Sequence, residues 1–338
     1  MAKRKLSLQQ RRRIAEQRAE KKLKNVVLPE DGELGPLQEG RVTANFGTQV
    51  LVQGKQTIQR CYLRANLDPV TGDTVTWREG KETGVLESIH TRLSELQRPD
   101  SYGKLRTVAA NVSQLVICIA VEPEAHSSLI DRYLVAAKLH QLQPLLLLNK
   151  CELLDEQQDK LKQLISRYKH LGVDCIEVSA ETGQDLSLLT DKLKEHTSIF
   201  VGQSGVGKSS LIKALLPKEK EIRIGKLSEA AAKGRHTTTH SQLYQFADGG
   251  ELIDSPGIRE FGLWHANASQ ILDAFSEIAD AAQHCRFRDC KHKGEPGCAV
   301  QESLDEGKIN SERYANYQLI LQQLNDVTIK TQSGIKNR

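Results

Sequence analysis

The chain has 338 residues, 38% hydrophobic and 27% charged, enough apolar side chain to build real cores in two or three domains. Its longest apolar runs, residues 115–121 and 145–148, fall far below the about 20 residues needed to cross a bilayer, so no membrane role is expected. The net charge of +4 is uneven: residues 1–24 hold ten Lys or Arg against two Glu, which puts +8 there and leaves −4 on the rest.

Residues 1–34 read as a basic flexible tail, and a detached cationic arm points to a polyanionic partner. The tail has no apolar signal core. The seven cysteines (Cys61, Cys118, Cys151, Cys175, Cys285, Cys290 and Cys298) are odd in number. Both facts favour a reducing, cytoplasmic setting over a disulfide framework. Residues 35–106 show strand-like runs at 41–52, 57–63, 73–78 and 84–91, separated by turns such as Pro69-Val70-Thr71-Gly72-Asp73. Such spacing suits a small β-barrel; an OB-fold is one candidate, and strand pattern alone suits an SH3-like barrel nearly as well. Residues 107–263 then alternate strands (115–121, 145–148, 173–178, 199–201, 242–246, 251–253) with helices (127–140, 153–170, 185–196, 209–216). Alternation of this kind predicts a parallel sheet with helices on both faces and binding loops at the carboxyl ends of the strands. Residues 264–338 read as helices around a Cys/His cluster.

Gly202-Gln203-Ser204-Gly205-Val206-Gly207-Lys208-Ser209, followed by Ser210, fits the phosphate-loop pattern G-x-x-x-x-G-K-[ST] between a strand and a helix. The glycines let backbone N–H groups wrap phosphate oxygens. Lys208 would reach the β- and γ-phosphates and serve hydrolysis, and the Ser209 hydroxyl would ligate Mg²⁺. Asp254-Ser255-Pro256-Gly257 follows the apolar Leu252-Ile253. Asp254 is suited to hold Mg²⁺ through water, and the Gly257 N–H to sense the γ-phosphate. Between them lies Lys233-Gly234-Arg235-His236-Thr237-Thr238-Thr239-His240, where Thr238 or Thr239 would complete the Mg²⁺ shell. Ile258 stands where Ras-like enzymes place a water-orienting Gln. Hydrolysis is therefore expected to be slow unless His236 or a partner's group substitutes.

Asn149-Lys150-Cys151-Glu152, directly after the strand at 145–148, resembles the N-K-x-D guanine-reading motif of GTPases. In that motif the Asn and the Lys stem frame the base while the carboxylate accepts from guanine N1 and N2. Ser179-Ala180, at the end of the next strand, matches the S-A segment whose backbone N–H meets guanine O6. Glu152 departs from the motif's Asp, and the extra methylene pushes the carboxylate about 1.5 Å outward. The charge and both acceptors remain, so guanine preference is expected to persist. The base-reading segments precede the phosphate loop, the reverse of the ordinary order. A parallel sheet tolerates this because strands keep their places while connections move.

Cys285-x4-Cys290-x-His292-x5-Cys298 supplies three thiolates and an imidazole, a set that suits a closed, structural, tetrahedral Zn²⁺ site. Gly294 and Gly297 would let the chain fold back. Arg286, Arg288, Lys291 and Lys293 flank the ligands, so the folded knuckle should present a basic surface.

Taken together, these segments resemble the RsgA (YjeQ) family of circularly permuted, ribosome-dependent GTPases. The resemblance implies a multidomain chain: a β-barrel (OB-fold), an α/β P-loop GTPase domain of circularly permuted topology, and a small α-helical zinc-binding domain. It also implies binding of GTP and GDP, and of the small ribosomal subunit and its rRNA late in maturation. Hydrolysis to GDP and phosphate would be stimulated by the subunit and coupled to release, and the protein is expected to act as a monomer. A P-loop ATPase or kinase is opposed by Asn149-Lys150 with Ser179-Ala180, and a nonenzymatic zinc-dependent RNA-binding protein by the intact Lys208, Ser209 and Asp254.

Overall fold

The computed structural model describes residues 33–64, 66–99, 105–155, 159–216, 241–246, 248–254, 263 and 266–336. The tail up to residue 32, the segment 217–240 with His236, Thr238 and Thr239, and residues 255–262 with Gly257 and Ile258 lie outside them. The chain divides into two compact units at Thr91/Arg92.

In the first unit, β1 (Leu37–Asn45), β2 (Gln49–Gln53), β3 (Ile58–Leu63), β4 (Thr74–Arg78) and β5 (Gly84–Ile89) close into a ring of order 1-2-3-5-4-1. Only the β3–β5 pairing is parallel. This closed five-stranded ring is an OB-fold barrel. Val42, Val50, Val52, Cys61, Val75, Trp77 and Leu86 fill it. A Cβ on Gly40 would lie 2.6 Å from Trp77 Nε1, so glycine at this position makes room for the indole. The apolar run 41–52, expected as one strand, is two. The Gly47 N–H donates to Asn45 Oδ1 at 2.6 Å and Gly47 adopts φ +91°, so the chain reverses there.

The second unit opens with a hairpin that the strand pattern did not reveal, β6 (Glu95–Pro99) and β7 (Leu105–Ala110). Residues 92–106, expected with the barrel, lie beyond the Thr91/Arg92 division. The main sheet here orders as β10 (Asp174–Glu177), β9 (Gln143–Asn149), β8 (Gln114–Ala120), β11 (Thr197–Val201), β13 (Glu251–Asp254) and β12 (Gln242–Gln245). All its pairings are parallel except β12 with β13. Every residue of β8 is buried, as a central parallel strand requires. Its side chains alternate between two cores. Leu115, Ile117 and Ile119 meet α1 (Ser127–Leu139) and α2 (Asp159–His170) through Ile130, Leu134, Leu164 and Tyr168. Val116, Cys118 and Ala120 meet α3 (Leu186–Leu193) and α4 (Lys208–Leu215) through Leu189, Leu193 and Leu211. The helix expected at 153–170 is seen over Asp159–His170, and Cys151–Leu153, expected at its start or just before, form a separate 3₁₀ turn.

From β8 the chain builds outward to β9 and β10, then returns to lay β11 on β8's other side. That reversal opens a crevice at the carboxyl ends of β8 and β11, the position where open α/β sheets bind ligands.

Beyond the sheet, α5 (Ala268–Asp273), α6 (Ser276–Ala282), α7 (Ala299–Asp305) and α8 (Ser311–Lys336) surround a third core of Ile271, Phe275, Ile278, Val300, Ile309, Tyr317 and Ile320. Asn267 starts α5 with a reciprocal capping box to Gln270. Val135 of α1 joins this core, so α1 is covered by the sheet on one side and by the C-terminal helices on the other. A buried polar lattice reinforces the contact. Arg313 of α8 donates to Asp131 of α1 at 2.6 Å and to both oxygens of Glu277 at 2.7 and 3.1 Å. Asp131 also accepts from the Tyr168 hydroxyl and from the Asn316 amide, each at 2.7 Å. Among the described residues, no helix is long and apolar enough to cross a membrane.

Candidate nucleotide site and metal cluster

The last residue of β9 holds three separate segments together. Asn149, 1% exposed, donates from Nδ2 to the Val206 carbonyl at 2.9 Å and accepts the Ala180 N–H on Oδ1 at 3.1 Å. One side chain thus ties the phosphate loop to the Ser179-Ala180 turn. Ser179 is fully buried, and its hydroxyl accepts the Thr182 N–H at 3.0 Å, which shapes that turn. Lys150 adopts φ +62° and donates from Nζ to the Glu122 carbonyl at 2.7 Å, just past the end of β8. The Cys151 N–H donates to Val178 O at 3.2 Å, holding the 3₁₀ turn against the strand end, while Glu152 stays exposed.

Gly202 leaves β11 at φ +139°, where a Cβ would sit 2.1 Å from the Cys118 carbonyl of β8. Gly205 and Gly207 also have positive φ, +88° and +90°. A Cβ on Gly207 would lie 2.2 Å from Asn149 Nδ2. Glycine is therefore required at Gly202 and Gly207 by close backbone packing as well as by conformation. Lys208 donates from Nζ to Gly202 O at 2.8 Å and to Gln203 O at 2.5 Å, curling back over its own loop. Gln203, Ser204, Ser209 and Ser210 line the loop and the first turn of α4, and Val206 anchors it in the core beneath. Burial pushes the Cys118 thiol up to about 12, with Lys208 pulling weakly the other way. The group under the loop is thus an uncharged thiol at neutral pH and does not compete for the lysine. Asp254 ends β13, which pairs in parallel with β11, so it lies at the same end of the sheet as the loop.

The Cys/His set also converges. One donor atom from each of Cys285, Cys290, His292 and Cys298 falls within 4.8 Å of the others. His292 Nδ1 is 3.6 Å from both the Cys285 and the Cys298 sulfur, and those sulfurs are 4.0 Å apart. Positive φ at His292, Gly294 and Gly297 folds the chain back to make this possible. Glu295 accepts the N–H groups of Lys291 and Lys293 at 2.8 and 2.6 Å, and its own backbone N–H together with these two holds its carboxyl below the usual range. The Tyr314 hydroxyl of α8 donates to the His292 carbonyl. Four such donors can hold a metal ion.

Two features of this region carry no sequence motif. The Glu122-Pro123 segment meets both loops: Glu122 O receives Lys150, and Pro123 lies nearest the position a Gly205 side chain would take, at 3.7 Å. Its position after the central strand, at the switch point, was a usable signal. The Asp131–Arg313 lattice had no sequence signal, because single charges within helices ordinarily face water.

Comparison with known proteins agrees with this geometry. The family model described as RsgA GTPase matches residues 89–264. The protein from Saccharophagus degradans named small ribosomal subunit biogenesis GTPase RsgA is 48% identical, covering 98% of this chain and all of that one. The protein of the same name from Ectopseudomonas mendocina is 49% identical, covering 96% of this chain and 98% of its own. Among solved structures, YjeQ from Thermotoga maritima superposes with a TM-score of 0.70 at 31% identity, over 86% of this chain and 99% of that one. YloQ, described as a circularly permuted GTPase, superposes with a TM-score of 0.68 at 25% identity, over 88% and 98%. With the Asn149-Lys150 and Ser179-Ala180 segments preceding the Gly202–Ser209 loop along the chain, and with these relatives, the chain belongs to the RsgA GTPase family.

Proposed function

We propose that this GTPase binds the small ribosomal subunit, assists its late maturation, and leaves it on hydrolysing GTP to GDP and phosphate. The observation that carries the nucleotide half is the bridge from Asn149 to Val206 and Ala180, since it joins a base-side segment to a phosphate-side one. The relatives' names support the subunit half. Asn149, Lys150, Cys151, Glu152, Ser179 and Ala180 would frame the guanine. Gly202 to Ser210 would cradle the phosphates, and Lys208 with the loop N–H groups would stabilise charge developing on the γ-phosphate. Ser209 and Asp254, both exposed hard-oxygen donors, fit Mg²⁺, which when bound neutralises phosphate charge. Gly257, His236 and Thr238 or Thr239 keep the switch roles that the sequence assigns.

Zinc fits the cluster. Tetrahedral bonds of about 2.3 Å to sulfur and 2.05 Å to nitrogen require S···S near 3.8 Å and S···N near 3.6 Å. The observed 4.0 and 3.6 Å are close to these values. The basic tail and knuckle would grip rRNA, and the protein would act as a monomer in the cytoplasm. GTP turnover titrated with purified small subunits tests the proposal. Turnover should rise to saturation with subunit concentration; a flat titration overturns it.

A further inference from the structure

Phe287 has no role in the nucleotide site, the metal shell or any core. Among the described residues it is one of the few large apolar side chains left open, 45% exposed, on the turn between Cys285 and Cys290. Both ends of that turn are fixed. The Arg286 N–H donates to Gly297 O at 3.0 Å, and the Cys290 N–H donates to Phe287 O at 3.3 Å. The Arg286 guanidinium lies 5.5 Å from the centre of the Phe287 ring. Arg286, Arg288, Lys291 and Lys293 are all exposed in the same short segment, 286–293, whose single exposed carboxylate is Asp289. The Glu295 carboxylate is occupied by the backbone and does not neutralise them.

An open aromatic ring on a rigid loop, with a guanidinium against it and ammonium groups nearby, is the combination that takes an unpaired base by stacking while cations hold its phosphates. A protein partner would match this surface less well, since it would have to pair four cations around a single apolar side chain. We propose that Phe287 is a stacking platform for an unpaired RNA base, with Arg286 completing the stack and Lys291 and Lys293 meeting the adjacent phosphates. This rests on the rRNA-binding reading above and names the feature recognised: a splayed, single-stranded nucleotide rather than duplex.

The test uses the full, metal-loaded chain, a mixed-sequence single-stranded RNA of about 12 nucleotides, and the same sequence as a duplex. Metal content is measured for each variant. Phe287→Ala should weaken single-strand binding about tenfold or more. The slope of log Kd against log salt should not change, because no phosphate contact is lost. Phe287→Trp should restore affinity. Phe287→Leu keeps an apolar side chain without a π face and should bind as poorly as alanine; it carries the test if alanine loosens the knuckle. Lys291→Ala with Lys293→Ala should instead reduce the salt slope. Unchanged single-strand affinity in the alanine and leucine variants overturns the proposal. So does an equal loss on duplex, or a loss confined to binding of purified ribosomal proteins. If the wild-type chain binds neither RNA, the underlying rRNA reading fails as well, which distinguishes the two failures.

Discussion

Replacing Arg313 by Met tests whether the C-terminal helices are locked to the sheet by charge. The Arg313 side chain is 3% exposed, the Asp131 side chain 0%, and Glu277 only 17%. Methionine preserves most of the volume against Phe275, whose ring centre lies 4.4 Å from the guanidinium carbon, so the cavity contribution is small. What is lost is the cation shared by buried Asp131 and half-buried Glu277, and removing one partner of such a group costs about 3–5 kcal/mol. The cost depends on pH in a defined direction. Burial already raises the Asp131 carboxyl above its ordinary value, with Arg313 opposing, and removing the arginine raises it further. A raised carboxyl holds its proton longer in the folded state than in the unfolded chain. The penalty is therefore absent below the unfolded value of about 3.9, grows as pH rises toward the folded pKa, and is complete above it. Urea unfolding of the metal-loaded protein, followed by far-UV circular dichroism and by hydrogen exchange of the α1 amides, should show the deficit at pH 8. The deficit should shrink as the pH is lowered toward the unfolded value of about 3.9. Asp131→Asn combined with Arg313→Met should remove much of the deficit and most of its pH dependence. A deficit under 1 kcal/mol at pH 8, or one that does not shrink on acidification, refutes the reasoning.

Three further outcomes are expected. Gly207→Ala forces a left-handed backbone onto alanine, at about 1–2 kcal/mol, and displaces the Asn149 amide from two hydrogen bonds of about 1 kcal/mol each. GTP affinity should fall at least 100-fold in a titration with a fluorescent GTP analogue, and an unchanged Kd would contradict the bridging role. Lys208→Ala should abolish tight nucleotide binding by calorimetry, because its ammonium already sits over the loop. Chelating the metal should expose Cys285, Cys290 and Cys298 to thiol reagents and open 285–298 to protease. Cys61, fully buried in the barrel, should stay unlabelled; equal labelling of Cys61 would mean global unfolding rather than loss of a local metal fold.

What could be read in the sequence was local. The Gly202–Ser209 loop, Asn149-Lys150 and Ser179-Ala180 each follow an apolar strand run, so strand end and turn chemistry coincide within a few residues. The Cys/His spacing announced its own convergence because thiolates and imidazole are rare neighbours without a metal. Long-range packing was not readable. The division of 41–52 into two strands rests on one Asx turn at Asn45, inside a run whose hydrophobic pattern continues across it. The hairpin at β6 and β7 mixes polar and apolar positions too evenly to stand out, yet Leu96 and Ala109 are buried. Asp131 and Arg313, 182 positions apart, meet only once the C-terminal helices cover α1.

The placement of β11 beside β8 also sets the timing of synthesis. Gln114 and Ser198 face each other across the middle of the sheet, yet they are 84 residues apart in the chain. At about 5–20 residues per second, the edge of β8 that β11 will cover waits roughly 4–17 s for its partner to be translated. During that interval β8, β9 and β10 form a half-sheet whose most hydrophobic strand has an open edge, the kind of surface that recruits stray strands. Slow codons or bound chaperone between positions 150 and 197 would therefore act on yield and solubility without touching the finished enzyme.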